Sequence, residues 1–216
     1  MKGRNQRTIA DVATIEGVGL HTGEKGVMTF RPAPVNHGVR FVRIDLPKQP
    51  EVQVRPENAH FDPGAGRRTI LQQDGVQIHT MEHVLSAIAG LQIDNLRIEV
   101  SSMEVPDGDG SSAPIAKALV DAGIVEQEKP ARHIKVTKPV YWKHNGVELS
   151  AVPYSGFKLT FTIEYDHPLI GTQTRTYEMD PKTYLEEIAP ARTFVLERDL
   201  EQLRDCLLYT SPSPRD

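Results

Sequence analysis

The stretch Gln77-Ile78-His79-Thr80-Met81-Glu82-His83-Val84-Leu85-Ser86-Ala87-Ile88-Ala89-Gly90 constrains the fold of this chain more than any other. Met81, Val84, Leu85 and Ile88 follow the i, i+3, i+4, i+7 spacing of one apolar helical face. Thr80 suits an N-cap, and Gly90 suits a stop in the left-handed conformation. At roughly 100° per residue, His83 points about 150° and Glu82 about 110° away from the apolar face. Ser86 and Ala87 continue the side that carries His83, and both are small enough for a second layer to approach closely. The expectation is a helix packed on two sides, with a site at its N-terminal turn.

Around this helix the chain reads as strands and turns. Thr8 to Leu20 reads as a strand running into a Gly-rich bend that ends in His21-Thr22-Gly23. Gly26–Arg31 and Gly38–Ile44 alternate as half-buried strands do, on either side of a Pro-Ala-Pro turn. Residues 58–68 are loop, and Arg68–Gln72 is a short strand. Asn95–Val100 alternates Leu96, Ile98 and Val100 with Arg97 and Glu99. A second helix is expected over Ala113–Ala122, with Pro114 in its first turn and Gly123 after its end. The polar segment Gln127–Arg132, with Pro130, is the expected domain boundary. Beyond it strands are expected over Ile134–Trp142, Gly146–Pro153, Lys158–Tyr165 and Thr172–Met179, then a short helix over Pro181–Ile188. Both halves run from strands into a helix, which suggests a weak internal duplication.

Composition narrows the function classes. A net charge of −4 with mixed signs gives no basis for a nucleic-acid or anionic-membrane partner. No apolar run approaches the ~18–20 residues that span a bilayer. The basic N-terminus leads into no apolar core of a signal peptide, and Cys206 as the single cysteine excludes a disulfide framework. A cytoplasmic, monomeric protein with no stable membrane anchor is expected. The Ser/Pro-rich residues 206–216 read as a disordered or non-native tail, resembling a translated sequencing-adapter remnant, and are set aside for the fold.

Several constellations compete for chemistry. His79, Glu82 and His83 spell H-x-x-E-H, the pattern of zinc peptidases that use two imidazoles as ligands and the glutamate as base. Thr80 as N-cap would leave His79 outside the helix. On the residues alone, a solvated or hydrogen-bonded histidine pair is favoured over a two-histidine zinc site. Asp107, Asp109 and Gly110 hint at a calcium loop, but the position that would need a bidentate glutamate is Ala118, so a tight turn using Gly108 and Gly110 is expected instead. Gly17, Gly19 and Gly23 lack the strand–turn–helix context of a dinucleotide fingerprint, and His21 among them reads as a turn residue.

Five ordered stretches together resemble one family: Gly17-Val18-Gly19-Leu20-His21-Thr22-Gly23, Thr80 to Ala87, Gly90 to Asn95, Glu104-Val105-Pro106 with Asp109-Gly110-Ser111, and Ala191-Arg192-Thr193-Phe194. The chain resembles, over about residues 7–205, the UDP-3-O-acyl-N-acetylglucosamine deacetylases, zinc amidases that commit Gram-negative bacteria to lipid A. The resemblance implies an α+β fold of duplicated two-layer sheet/helix domains, like ribosomal protein S5 domain 2, with helices facing each other between two sheets. It implies a first domain over 1–127 and the N-terminal part of a second over 131–205. It implies UDP-3-O-acyl-N-acetylglucosamine as substrate and Zn2+ as cofactor. Glu82 matches the family's general base, His83 a zinc ligand, and Thr193 the donor to the oxyanion. His79 matches no ligand position, so the H-x-x-E-H spelling becomes a coincidence.

The sequence also departs from that family. Its H-K-x-x-D-x-x-G-D motif, which carries the other two zinc ligands, and a later histidine acting as general acid do not follow Thr193. A catalytic zinc takes three protein ligands plus water. The chain as written is therefore expected to be an inactive, truncated copy. The alternatives are a non-catalytic α+β binding module and, less favoured, a metallopeptidase using His79 and His83.

Overall fold

The computed structural model describes residues 3–60 and 68–197. The tail expected from residue 206, and the part of the 58–68 loop between 61 and 67, lie outside the described residues.

Fourteen strands and three helices are described. Asn5–Ile9 (β1), Ala13–Val18 (β2), Lys25–Pro32 (β3), Val39–Arg43 (β4), Glu51–Gln53 (β5), Ala59–His60 (β6), Ile70–Gln73 (β7) and Val76–His79 (β8) lead to helix Glu82–Gly90 (α1). Leu96–Val100 (β9), helix Ala113–Asp121 (α2) and Ile124–Pro130 (β10) follow. Then come Val140–His144 (β11), Val147–Ala151 (β12), Lys158–Glu164 (β13), Thr172–Glu178 (β14) and the single turn Pro181–Thr183 (α3), continued by a π-helical turn over Tyr184–Ile188. The fold is mixed α+β.

The main sheet has the order β2-β3-β9-β4-β5, antiparallel except for the β4–β9 pair. Alternation decides its faces. In β9, Leu96, Ile98 and Val100 are buried, while Arg97 and Glu99 stay half exposed and pair with Arg31 and Glu51 on the outer face. The inner face presents Met28 and Phe30 from β3, Phe41 from β4 and Val52 from β5. Met81, Val84, Ala87 and Ile88 around α1, and Ile115, Ala116 and Leu119 of α2, complete the same core. Tyr184 and Ala189, from far later in the chain, belong to it too.

Local expectations change at several points. Thr80 is not the N-cap: it takes φ 59°, Met81 occupies the cap position without a side-chain hydrogen bond, and the Thr80 hydroxyl goes elsewhere. Gly90 is the last helical residue, and Gln92, at φ 58°, takes the left-handed position beyond it. The reason is packing. A Cβ at Gly90 would lie 2.2 Å from Tyr184 Cδ2, so the glycine admits a ring rather than ending a helix.

The polar segment Gln127–Pro130 has regular structure of its own. It lies in β10, which pairs antiparallel with β1. Gln127 accepts from Asn95 Nδ2 at 2.7 Å and donates to the Ala33 carbonyl at 2.9 Å. Asn95 also donates to Gln6 at 2.8 Å, so polar side chains at these positions form one satisfied network. The opening segment likewise divides into β1 and β2 at Ala10 and Asp11, whose amides bond the carbonyls of Gly123 and Ala122 after α2. The strand expected from Ile134 begins only at Val140.

Candidate active site

The site is built around a buried carboxylate. Glu104 is 1% exposed and accepts from the backbone amides of His21 (3.0 Å) and Thr22 (2.8 Å), the Thr22 hydroxyl (2.9 Å) and the Thr80 hydroxyl (2.6 Å). Burial pushes its carboxyl upward, but the donors from Thr80, Thr22 and His21 outweigh it and hold the group below the usual glutamate range. The backbone joins in: the His79 amide bonds the Met103 carbonyl, and the Val105 amide bonds the His79 carbonyl. Three stretches far apart in sequence, around His21, Thr80 and Glu104, therefore meet at one carboxylate. Gly19 is part of this junction, since a Cβ there would sit 2.5 Å from Glu104 Oε2.

The Thr80 anchor sets where α1 begins. Glu82 is the first helical residue and accepts the Thr69 amide at 3.2 Å. The partial positive charge of a helix N-terminus favours a carboxylate there. His83 follows, and its Nδ1 lies 3.9 Å from Asp107 Oδ1. That oxygen is buried without a hydrogen-bond partner. Burial raises the Asp107 carboxyl above its usual range; His83 pulls it down, while Glu104 and Glu82 push it up. His21 is drawn into the same neighbourhood. Burial lowers its ring, against the upward pull of Glu104, and Arg68 lowers it further; Glu82 and Asp107 add upward pulls. His21 lies in a turn, as expected, and its backbone amide is one of the donors to Glu104.

His79 is elsewhere. It is the last residue of β8, 5% exposed, with Nε2 3.0 Å from Gln77 Oε1. His79 and His83 are not one turn apart on a helix, so the peptidase pattern lacks its geometry. The loop after Pro106 is the tight turn expected, with Asp109 Oδ1 accepting from the Ser111 amide and hydroxyl. Onto this loop docks the later Ala-Arg-Thr-Phe stretch. Arg192 Nε donates to the Asp109 carbonyl at 2.8 Å, and the Thr193 amide donates to the Gly110 carbonyl at 2.8 Å. Thr193 itself is exposed. Glu82 and His83 are neighbours on one turn, and Thr193 is tied to the loop whose Asp107 faces His83.

The donor set fits one corner of a zinc site. His83 is an imidazole on a helix, beside a buried carboxylate oxygen that lacks a partner. Among the described residues no three His, Cys, Asp or Glu side chains are grouped to hold a metal. The residues present therefore fit a single ligand rather than the three that a catalytic zinc requires.

Sequence reasoning passed over Glu104, Asp107 and His21 as site residues. The Glu104 signal was there: an acid between Met103 and Val105, just after an alternating strand, is an acid with a buried partner set. Asp107 carried no such signal, because its meeting with His83 depends on how the loop returns to α1.

The α+β fold thus brings a carboxylate and an imidazole to one helix N-terminus, with the Asp107 carboxylate facing the imidazole. The family model of the UDP-3-O-acyl N-acetylglycosamine deacetylases (LpxC) matches residues 6–213. Relatives carrying the name UDP-3-O-acyl-N-acetylglucosamine deacetylase include one from Chromohalobacter salexigens, 43% identical over 92% of this chain and 65% of its own length. Another, from Xanthomonas axonopodis pv. citri, is 46% identical over 93% of this chain and 66% of its own length. The chain belongs to the UDP-3-O-acyl N-acetylglycosamine deacetylase family. It spans just under two thirds of the length of these relatives.

Proposed function

We propose that this chain carries the base-bearing part of a zinc-dependent deacetylase that removes the N-acetyl group of UDP-3-O-acyl-N-acetylglucosamine, the committed step of lipid A synthesis. The observation that carries the reading is the adjacent pair Glu82 and His83 on the first turn of α1, inside a chain matched by the family over 6–213. His83 would be one zinc ligand; the other two, on the family pattern, belong to a motif this sequence lacks after Thr193. Zinc, when bound, supplies Lewis acidity toward the amide carbonyl and water.

Two of the chain's own residues perform further parts of the reaction. Glu82 takes a proton from the attacking water as the new C–O bond forms at the acetyl carbon. The Thr193 hydroxyl donates to the oxyanion, where losing one donor typically costs about 2.7–4 kcal/mol. The C–N bond then breaks, and the amine leaves with a proton from the family's later histidine, giving acetate and the free amine. The reaction is placed in the cytoplasm, with the protein acting as a monomer. The finer architecture belongs to the same proposal: a first domain over 1–127, part of a second over 131–205, duplicated and S5-like, with helices facing between sheets.

The 216 residues by themselves are expected to release no acetate and to bind zinc weakly. A chimera tests the function itself. Residues 1–197 joined to the remaining third of the Xanthomonas relative should release acetate from UDP-3-O-acyl-N-acetylglucosamine in a zinc-dependent manner. A chimera that melts cooperatively, binds zinc and leaves the substrate intact would contradict the proposal. Tight stoichiometric zinc with turnover in the 216-residue chain would overturn the inactivity.

A further inference from the structure

The loop after Pro106 places a carboxylate where the reaction as described does not use one. Asp107 Oδ1 is buried, has no hydrogen-bond partner, and lies 3.9 Å from His83 Nδ1. A buried acceptor without a donor is costly. The His83 ring nitrogen, at 3.9 Å, belongs to the start of a helix tied down through Thr80 and Glu104. Both side chains keep some exposure, 21% for His83 and 14% for Asp107, and an approach of about 1 Å brings the pair to hydrogen-bond length. The Asp107 backbone is held on both sides. Its amide bonds the Val18 carbonyl and its carbonyl accepts the Gly110 amide, so the carboxylate is presented by a fixed turn.

We infer that Asp107 is a positioning residue for His83: its carboxylate accepts the Nδ1 proton, fixes the imidazole as the Nδ1–H tautomer and leaves Nε2 as the lone-pair nitrogen for a divalent cation. Metal-ligating histidines commonly donate their second ring nitrogen to a carboxylate, which orients the ring and raises its basicity. The direction of ligation rests on His83 being a zinc ligand as proposed above; the tautomer does not.

Two measurements separate these parts. In the metal-free 216-residue chain, selective histidine labelling and two-bond 15N–1H correlation report the His83 tautomer at a pH where the ring is neutral. The expected spectrum has a protonated Nδ1 and a lone-pair Nε2, against the Nε2–H form that an undirected imidazole favours. Asp107→Ala should invert it, and Asp107→Asn, which keeps an acceptor oxygen, should restore the Nδ1–H form. Wild-type His83 in the Nε2–H form, or an Asp107→Ala spectrum unchanged in a folded chain, overturns the inference whatever the enzyme does. In the chimera, Asp107→Ala should weaken zinc affinity by about 10–100-fold in chelator competition. Unchanged affinity with an inverted tautomer would overturn the metal-directed role alone.

Discussion

At the scale of single residues, Glu104 organises the site without entering its chemistry. It accepts from four donors on two stretches of chain, so its removal leaves several buried donors unpaired at once. Glu104→Ala is expected to cost on the order of 3 kcal/mol, read as a shift in urea midpoint at constant slope. The same carboxylate gives a pH signature. Its folded-state pKa is depressed, so it contributes stability above the ordinary glutamate value of about 4.3, and that stability is lost as pH falls through the lower folded value. Wild-type and Glu104→Gln chains should therefore differ most near neutrality and converge toward pH 3; a gap that widens in acid would refute this. Asp107 works in the opposite sense. Its raised carboxyl makes stability fall as pH climbs from the ordinary aspartate range through the raised value.

At the scale of elements, α1 shows which parts of the fold its sequence expresses. The apolar positions Met81, Val84 and Ile88 are buried as their spacing requires, and small residues on the other side do admit a second layer. Ser86 Oγ lies 3.0 Å from the Tyr184 hydroxyl, and the Tyr184 ring covers Gly90. What spacing cannot express is the partner, since Tyr184 arrives from 94 residues beyond Gly90. For the same reason Thr80 reads locally as a cap, while a buried acid on another segment claims its hydroxyl. The contest at Gly90 has a predictable winner. Alanine would add about 1 kcal/mol of helix propensity, but its Cβ would overlap the ring, and overpacking of this kind costs about 1–3 kcal/mol. Gly90→Ala should lower the melting temperature, and Tyr184→Ala in the same chain should make the two effects clearly less than additive. Additive losses would mean that the ring and the helix do not meet.

At the scale of the whole molecule, the two ends of the described chain are unequal. The core gathers β1 to β5, β7 to β10 and helices α1 and α2, whereas strands β11 to β14 carry large exposed apolar side chains, among them Tyr141 at 74%, Phe161 at 64% and Leu149 at 60%. Alternation did locate these strands to within a few residues, apart from the late start at Val140; burial is a property of what covers them, which no local pattern records. Large apolar side chains left exposed in this number favour association. The 216-residue chain is expected to bind a hydrophobic dye and to show concentration-dependent sedimentation, while the chimera should do neither; dye-free monomers of the short chain would count against it. The candidate site is divided in the same way. Glu82, His83 and Thr193 stand out in the sequence because they sit in short ordered motifs, but that Asp107 comes to face His83, and Glu104 to bond Thr80, is a product of topology.

The central claim is that Glu82 is the base of an amide hydrolysis. Its most direct test is Glu82→Gln in the chimera, with zinc content, KM and kcat measured together. The account predicts full zinc content, a KM within a few-fold of the parent and a kcat lower by about 10²–10⁴. A variant that keeps its kcat, or that loses activity only by losing zinc, would contradict it.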